Sequence, residues 1–130
     1  MPDPEKYLVA VVDDDHRILQ SLEALLESAD YSVRLYTSAE SLLEDADALA
    51  DLDCLVSDIG MSGIDGFELL RLAKSIRPDL PVILITGRPE AAKRVASDGR
   101  GACAVFHKPF DTARLLAAIG KALPPLPRRK

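Results

Sequence analysis

The 130-residue sequence predicts a doubly wound α/β sandwich, in which a parallel five-stranded sheet carries five helices on its two faces. Three observations predict it. Short apolar runs rich in β-branched residues alternate along the chain with stretches whose apolar residues recur at helical spacing. Most of the strand-like runs are apolar throughout, as strands buried on both faces are. Five strands alternating with five helices then require parallel pairing and right-handed crossovers.

The elements follow in order. Tyr7-Leu8-Val9-Ala10-Val11-Val12 stops at three carboxylates and reads as a buried strand. After a candidate cap at Asp15, Ile18, Leu19, Leu22, Leu25, Leu26 and Ala29 form the apolar stripe of the first helix. Ser32-Val33-Arg34-Leu35-Tyr36 alternates polar and apolar residues, as an edge strand does. Thr37-Ser38-Ala39-Glu40 matches a capping box that opens a second helix carrying Leu42 and Leu43. Cys54-Leu55-Val56-Ser57 is the third strand, and Phe67, Leu69, Leu70, Leu72 and Ala73 support a helix ending before Pro78. Val82-Ile83-Leu84-Ile85 is the fourth strand. The helix expected near Pro89 to Ser97 offers only Ala91, Ala92, Val95 and Ala96, and should be the least firmly packed. Cys103-Ala104-Val105-Phe106 is the fifth strand, which with the other three apolar runs makes four central strands. Leu115, Leu116, Ile119 and Leu123 form the last helix after Asp111. One domain over residues 1–123 is expected, followed by a Pro-rich basic tail or linker stub at 124–130.

Composition bounds the function. An apolar fraction of 48% supports a sizeable core, and a formal net charge of −5 supplies no basic field for nucleic acid or anionic lipid. No apolar run approaches the roughly 20 residues of a membrane span, and the N-terminal residues lack the order of a signal peptide, so a cytoplasmic location is expected. Cys54 and Cys103 fall in apolar runs and are expected to act as small hydrophobes.

In open α/β sheets, ligands gather beyond the carboxyl ends of the strands. The first strand ends in Asp13-Asp14-Asp15, the third in Asp58, the fourth in Thr86-Gly87 and the fifth in Lys108-Pro109. Each has an ordinary explanation alone: a helix cap, a strand end, a turn, a solvated lysine. Their coincidence at one sheet edge does not. Asp13, Asp14 and Asp58 would repel strongly if brought together, Lys108 would leave a formal −2, and a hard divalent cation with oxygen ligands matches that remainder. Magnesium is the natural choice.

These segments are similar to those of the receiver domains of bacterial response regulators. The likeness runs over residues 7 to 123 and rests on Val11-Val12-Asp13-Asp14-Asp15, Val56-Ser57-Asp58-Ile59-Gly60-Met61, Gly63-Ile64-Asp65-Gly66, Ile85-Thr86-Gly87 and His107-Lys108-Pro109-Phe110. The resemblance implies a flavodoxin-like sheet of order 2-1-3-4-5, with Cys54 and Cys103 two strand spacings (about 9.5 Å) apart and so unable to form a disulfide. It implies Asp58 as phosphoacceptor, with Asp13, Asp14, Asp58 and the Gly60 carbonyl holding Mg2+, for which Mn2+ can substitute. Thr86 and Lys108 would bind phosphoryl oxygens, and Asp15 would cap the first helix. The donor implied is a sensor histidine kinase or phosphotransfer protein, and the chain is a signalling phosphoacceptor with slow self-catalysed chemistry rather than an enzyme. The signal would leave through the face formed by the fourth predicted helix, fifth strand and last helix, toward a downstream protein or an output domain outside this sequence, with a homodimer as a further use.

Two positions depart from the pattern. Val105 stands where the family has a switch aromatic, with Phe106 expected on the opposite face of the sheet, and Ser62 replaces a proline. Gly60 and Gly87 leave two positions beside the site without side chains, which suggests a short-lived phosphoryl group. Two other readings stay open. One is a phosphohydrolase resembling haloacid-dehalogenase phosphatases, although Asp58-Ile59-Gly60-Met61-Ser62 lacks their second acid; the other is a pseudo-receiver used as a docking surface.

Overall fold

The structure is a computed structural model and describes residues 6–45, 47–88, 90, 94 and 101–123. Strands β1 (Leu8–Val12), β2 (Ser32–Tyr36), β3 (Cys54–Asp58), β4 (Val82–Thr86) and β5 (Ala104–His107) form one sheet of order β2-β1-β3-β4-β5. Every pairing is parallel. Helices whose full span lies among the described residues are α1 (His16–Ser28), α2 (Ala39–Glu44), α3 (Ala48–Asp51), α4 (Gly66–Ile76) and α5 (Thr112–Ala122).

Strand alternation sorts the core into two layers. Leu8, Ala10 and Val12 of β1 join Ala39, Leu42, Ala48, Leu49, Phe67, Leu69, Leu70 and Ala73, so α2, α3 and α4 cover one face. Val9 and Val11 join Leu19, Leu22, Leu26, Leu115 and Ile119, so α1 and α5 cover the other. A 13-residue helix is marginal in water by itself, and α1 is held by burying Leu19, Leu22 and Leu26, each worth roughly 1.5–3 kcal/mol.

The helix ends follow local chemistry. Asp15 caps α1 through the Arg17 N–H at 2.9 Å, and Asp111 caps α5 through the N–H groups of Ala113 and Arg114. At its far end α1 closes with Asp30 at φ +71°, while the Tyr31 N–H returns to the Leu26 carbonyl and the Asp30 N–H to Glu27. Ala29, expected on the buried stripe, is therefore an exposed cap residue.

Several expectations are corrected. The capping box at Thr37–Glu40 does not form as such. Ser38 is the cap, accepting the Ser41 N–H at 3.0 Å, which puts Ser41 in place of Glu40 at the third helical position, and the Glu40 carboxylate accepts the Ile64 N–H at 3.1 Å. The fifth strand is not central: the order places β5 at a sheet edge, with β4 as its neighbour, and Ala104, Val105 and Phe106 are half-buried. Cys103, just before β5, is exposed rather than a core residue, while Cys54 on β3 is buried, and both thiols are free. The one-turn helix α3 was not foreseen. It is too short to show a period, and Arg77 fixes its end by donating from Nη1 to the carbonyls of Leu49 and Leu52, each at 2.6 Å. The helix expected near Pro89 to Ser97 lies almost wholly outside the described residues, as does the tail at 124–130.

Candidate functional site

The parallel register brings four strand ends to one edge. Val12 pairs with Ser57, Asp58 with Ile85 and Thr86 with His107, so Asp13, Asp58, Thr86 and Lys108 sit at or just past neighbouring strand ends. Gly66 opens α4 flush against this edge. A Cβ there would collide with the Asp58 carbonyl oxygen and come within 2.6 Å of the Ile59 Cα, so the close approach requires glycine.

One carboxylate oxygen from each of Asp13, Asp14 and Asp58 lies within 4.8 Å of the others. At that separation and an effective dielectric of about 20, each pair of charges repels by ~3.5 kcal/mol. Asp13 and Asp58 are buried, whereas Asp14 is exposed. Lys108 answers part of this charge: its Nζ donates to Asp13 Oδ2 at 3.0 Å and stands 3.3 Å from Asp58 Oδ1. The other Asp13 oxygen accepts the Asp15 N–H at 2.9 Å.

The titration of the pair reflects this setting. Burial, and then the Asp13 charge, raise the Asp58 carboxyl above its ordinary range against the pull of Lys108. Burial opposes the Lys108 charge, but the hydrogen bond to Asp13 and the Asp58 charge outweigh it and hold the ammonium above the usual lysine range. Three carboxylates and one ammonium leave a formal −2 on an all-oxygen donor set, which suits a hard divalent cation.

Beside these groups is an open cavity of about 260 Å³ lined by Asp58, Gly60, Thr86, Gly87, Arg88 and Lys108. Thr86 is buried, and its hydroxyl accepts the Arg88 N–H at 3.0 Å and donates to the Arg88 carbonyl at 3.3 Å. Arg88 is the lining residue that the sequence did not suggest. The signal available was its place two residues past Thr86. Its guanidinium borders the room that Gly60 leaves, since a Cβ on Gly60 would lie 3.8 Å from Arg88 Nε, and the Lys108 stem stands at the same distance from a Cβ on Gly87. Neither glycine therefore leaves a simple void.

His16 and His107 are exposed and do not join the carboxylate group. Val105 packs toward the layer containing Phe67, and Phe106 toward α1 and α5, so Phe106 is on the opposite face of the sheet, as alternation requires.

Comparison with known proteins agrees with this edge. Residues 9–120 match the family model of the response regulator receiver domain. The chain belongs to that family. It is 38% identical over 120 residues to the transcriptional regulatory protein FixJ of Azorhizobium caulinodans, across 92% of this chain and 56% of FixJ. It is 35% identical to the DNA-binding transcriptional regulator NtrC of Rhizobium meliloti, across 93% of this chain and 25% of NtrC. A crystal structure of a response regulator receiver protein from Sinorhizobium medicae WSM419 superposes with a TM-score of 0.84 at 29% identity, covering 92% of this chain and 96% of that one. The receiver thus spans about half the length of FixJ and a quarter of NtrC. Among its described residues no helix is long and apolar enough to cross a membrane.

Proposed function

We propose that this receiver of a two-component system accepts a phosphoryl group onto Asp58. The observation that carries the reading is the meeting of Asp13, Asp14 and Asp58 within 4.8 Å, bridged by Lys108 and opening onto the cavity that Thr86 lines. An oxygen of Asp58 attacks phosphorus as the donor's P–N bond breaks, and the leaving imidazole takes up a proton. Lys108 and the Thr86 hydroxyl receive the equatorial oxygens, which phosphoryl transfer needs more than covalent assistance. Asp13, Asp14, Asp58 and the Gly60 carbonyl would hold Mg2+ (or Mn2+), which supplies charge neutralisation when bound. Subsequent hydrolysis of the acyl phosphate is slow, so the chain serves as a timed mark and not as a turnover enzyme.

The donor is a sensor histidine kinase or a phosphotransfer protein acting in the cytoplasm. FixJ and NtrC are transcriptional regulators of which this chain matches only a part, which supports output through a further domain or a downstream protein instead of direct nucleic-acid contact by the receiver, whose net charge is −5. The expected output face and any homodimer across it involve residues near 89–97, mostly outside those described.

The test is incubation with magnesium and phosphoramidate or acetyl phosphate, followed by intact mass spectrometry. A gain of one phosphoryl mass that disappears in Asp58→Asn and on chelation is expected. No gain, or a gain that persists in Asp58→Asn, overturns the reading.

A further inference from the structure

The loop between β3 and α4 is fastened from within and from one point outside. Within it, the Ile59 N–H donates to the Ile85 carbonyl at 2.8 Å, and the Ile59 carbonyl accepts the N–H groups of Met61 at 3.1 Å and Gly66 at 2.9 Å. That closes a ring of chain around Gly60, whose neighbours on both sides are held while it borders the cavity itself. From outside, the Glu40 carboxylate reaches from the first turn of α2 to the Ile64 N–H, 24 residues away and 3.1 Å distant. Gly63, between the two fastenings, has φ +73° and lies so close to Glu40 that a Cβ there would run into the carboxylate. The loop thus accepts Glu40 through a left-handed glycine, which is the conformation that turns the next amide outward. The Ile64 N–H also pulls the Glu40 carboxyl below its ordinary range, so the acceptor is ionised at neutral pH.

From this geometry we infer that Glu40 is a positioning residue for the phosphorylation site: by anchoring Ile64 it sets the path of residues 60–64 and hence the aim of the Gly60 carbonyl. The inference rests on the reading of Asp58 as phosphoacceptor. Glu40 touches neither the phosphoryl cavity nor the carboxylate group, and it acts through the loop backbone.

The experiment compares wild type, Glu40→Ala, Glu40→Gln and Arg77→Ala, the last as a remote variant that loosens α3 and leaves the loop untouched. Three quantities are read: hydrogen exchange at the Ile64 amide, Mn2+ affinity by titration without phosphodonor, and the rate of Asp58 phosphorylation by phosphoramidate. Glu40→Ala is expected to expose the Ile64 amide and to weaken Mn2+ binding by about tenfold, the lower end of what losing a ligand-orienting contact costs. Phosphorylation should slow in parallel. Glu40→Gln keeps an oxygen acceptor without the charge and should restore most of both, while Arg77→Ala should bind Mn2+ as wild type does. Unchanged Mn2+ affinity in Glu40→Ala overturns the proposal, as does a Gln variant as weak as Ala, which would mean that only charge matters. Equal loss in Arg77→Ala would also overturn it, by making the effect one of general stability. A wild type that binds Mn2+ but gains no phosphoryl mass would instead count against Asp58 as acceptor.

Discussion

Replacing Lys108 by methionine keeps much of the aliphatic stem and removes the charge that Asp13 and Asp58 share. Its Nζ lies 3.0 Å from one carboxylate and 3.3 Å from the other. At an effective dielectric of about 20 these contacts are worth ~5.5 and ~5 kcal/mol of gross attraction, set against ~3.5 kcal/mol for each carboxylate repulsion. Desolvation of three ions consumes most of that gain, so the measured cost is that of stranding buried charge, about 3–5 kcal/mol. The lower end applies here, because the Lys108 side chain keeps 23% of its exposure. Urea unfolding of the metal-free protein at pH 7.5 should show this loss, which should shrink as pH falls and the stranded Asp58, whose carboxyl burial already holds above its ordinary range, takes up a proton. Divalent affinity should stay the same or rise, since a competing cation has gone, while phosphorylation by phosphoramidate falls by orders of magnitude. A Lys108→Met protein that retains wild-type stability, or that loses divalent binding and phosphorylation together, would refute the assignment of Lys108 to charge balance and phosphoryl positioning.

Three further outcomes follow from the same contacts. Asp58 has a folded-state pKa above its unfolded value, so its ionisation costs stability as pH rises from about 3.8 through the folded value; Asp58→Asn should stabilise the metal-free protein at pH 7, with the gain vanishing near pH 4 in a series of denaturant titrations. Gly66→Ala would force a Cβ into the Asp58–Ile59 backbone, and a loss of at least about 3 kcal/mol is expected by chemical denaturation, with phosphorylation impaired even where the protein folds. Arg88→Ala leaves its backbone bonds to Thr86 in place but opens the room over Gly60; phosphoryl lifetime, followed by mass spectrometry after donor removal, should shorten by roughly two- to fivefold, about 0.4–1 kcal/mol of barrier.

The sheet was legible because its signals are local. Five apolar or alternating runs, Asp15 and Asp111 as caps, and the stripes of α1 and α5 follow from short-range chemistry that tertiary packing does not reverse. Which strand lies at an edge is a matter of order, and an apolar run such as Ala104-Val105-Phe106 reads the same in the centre as at a margin flanked by helices. The strand-end groups at Asp13, Asp14, Asp58, Thr86 and Lys108 could be gathered because parallel strands point their carboxyl ends one way. The side chain of Arg88 beside the cavity and the Glu40–Ile64 contact were not foreseen for the opposite reason. Each acts by reaching across a loop, over Gly60 in one case and to Ile64 in the other, and neither reach leaves a periodic trace. The capping pattern at Thr37–Glu40 even pointed the wrong way, since the helix is capped one residue later by Ser38 and the Glu40 carboxylate takes a long-range backbone donor.

The contact between Lys108 and Asp13 joins residues 95 positions apart in the chain. Pairing so distant carries a larger loop-closure cost than local contacts do, by about 0.6 kcal/mol for each doubling of the loop. A chain still emerging from synthesis, or one in which β5 has not yet docked, holds Asp58 without its ammonium and presents an incomplete set of charges. Such a chain lacks the ammonium that balances Asp13 and Asp58, so completion of this charged edge depends on the docking of β5 against β4.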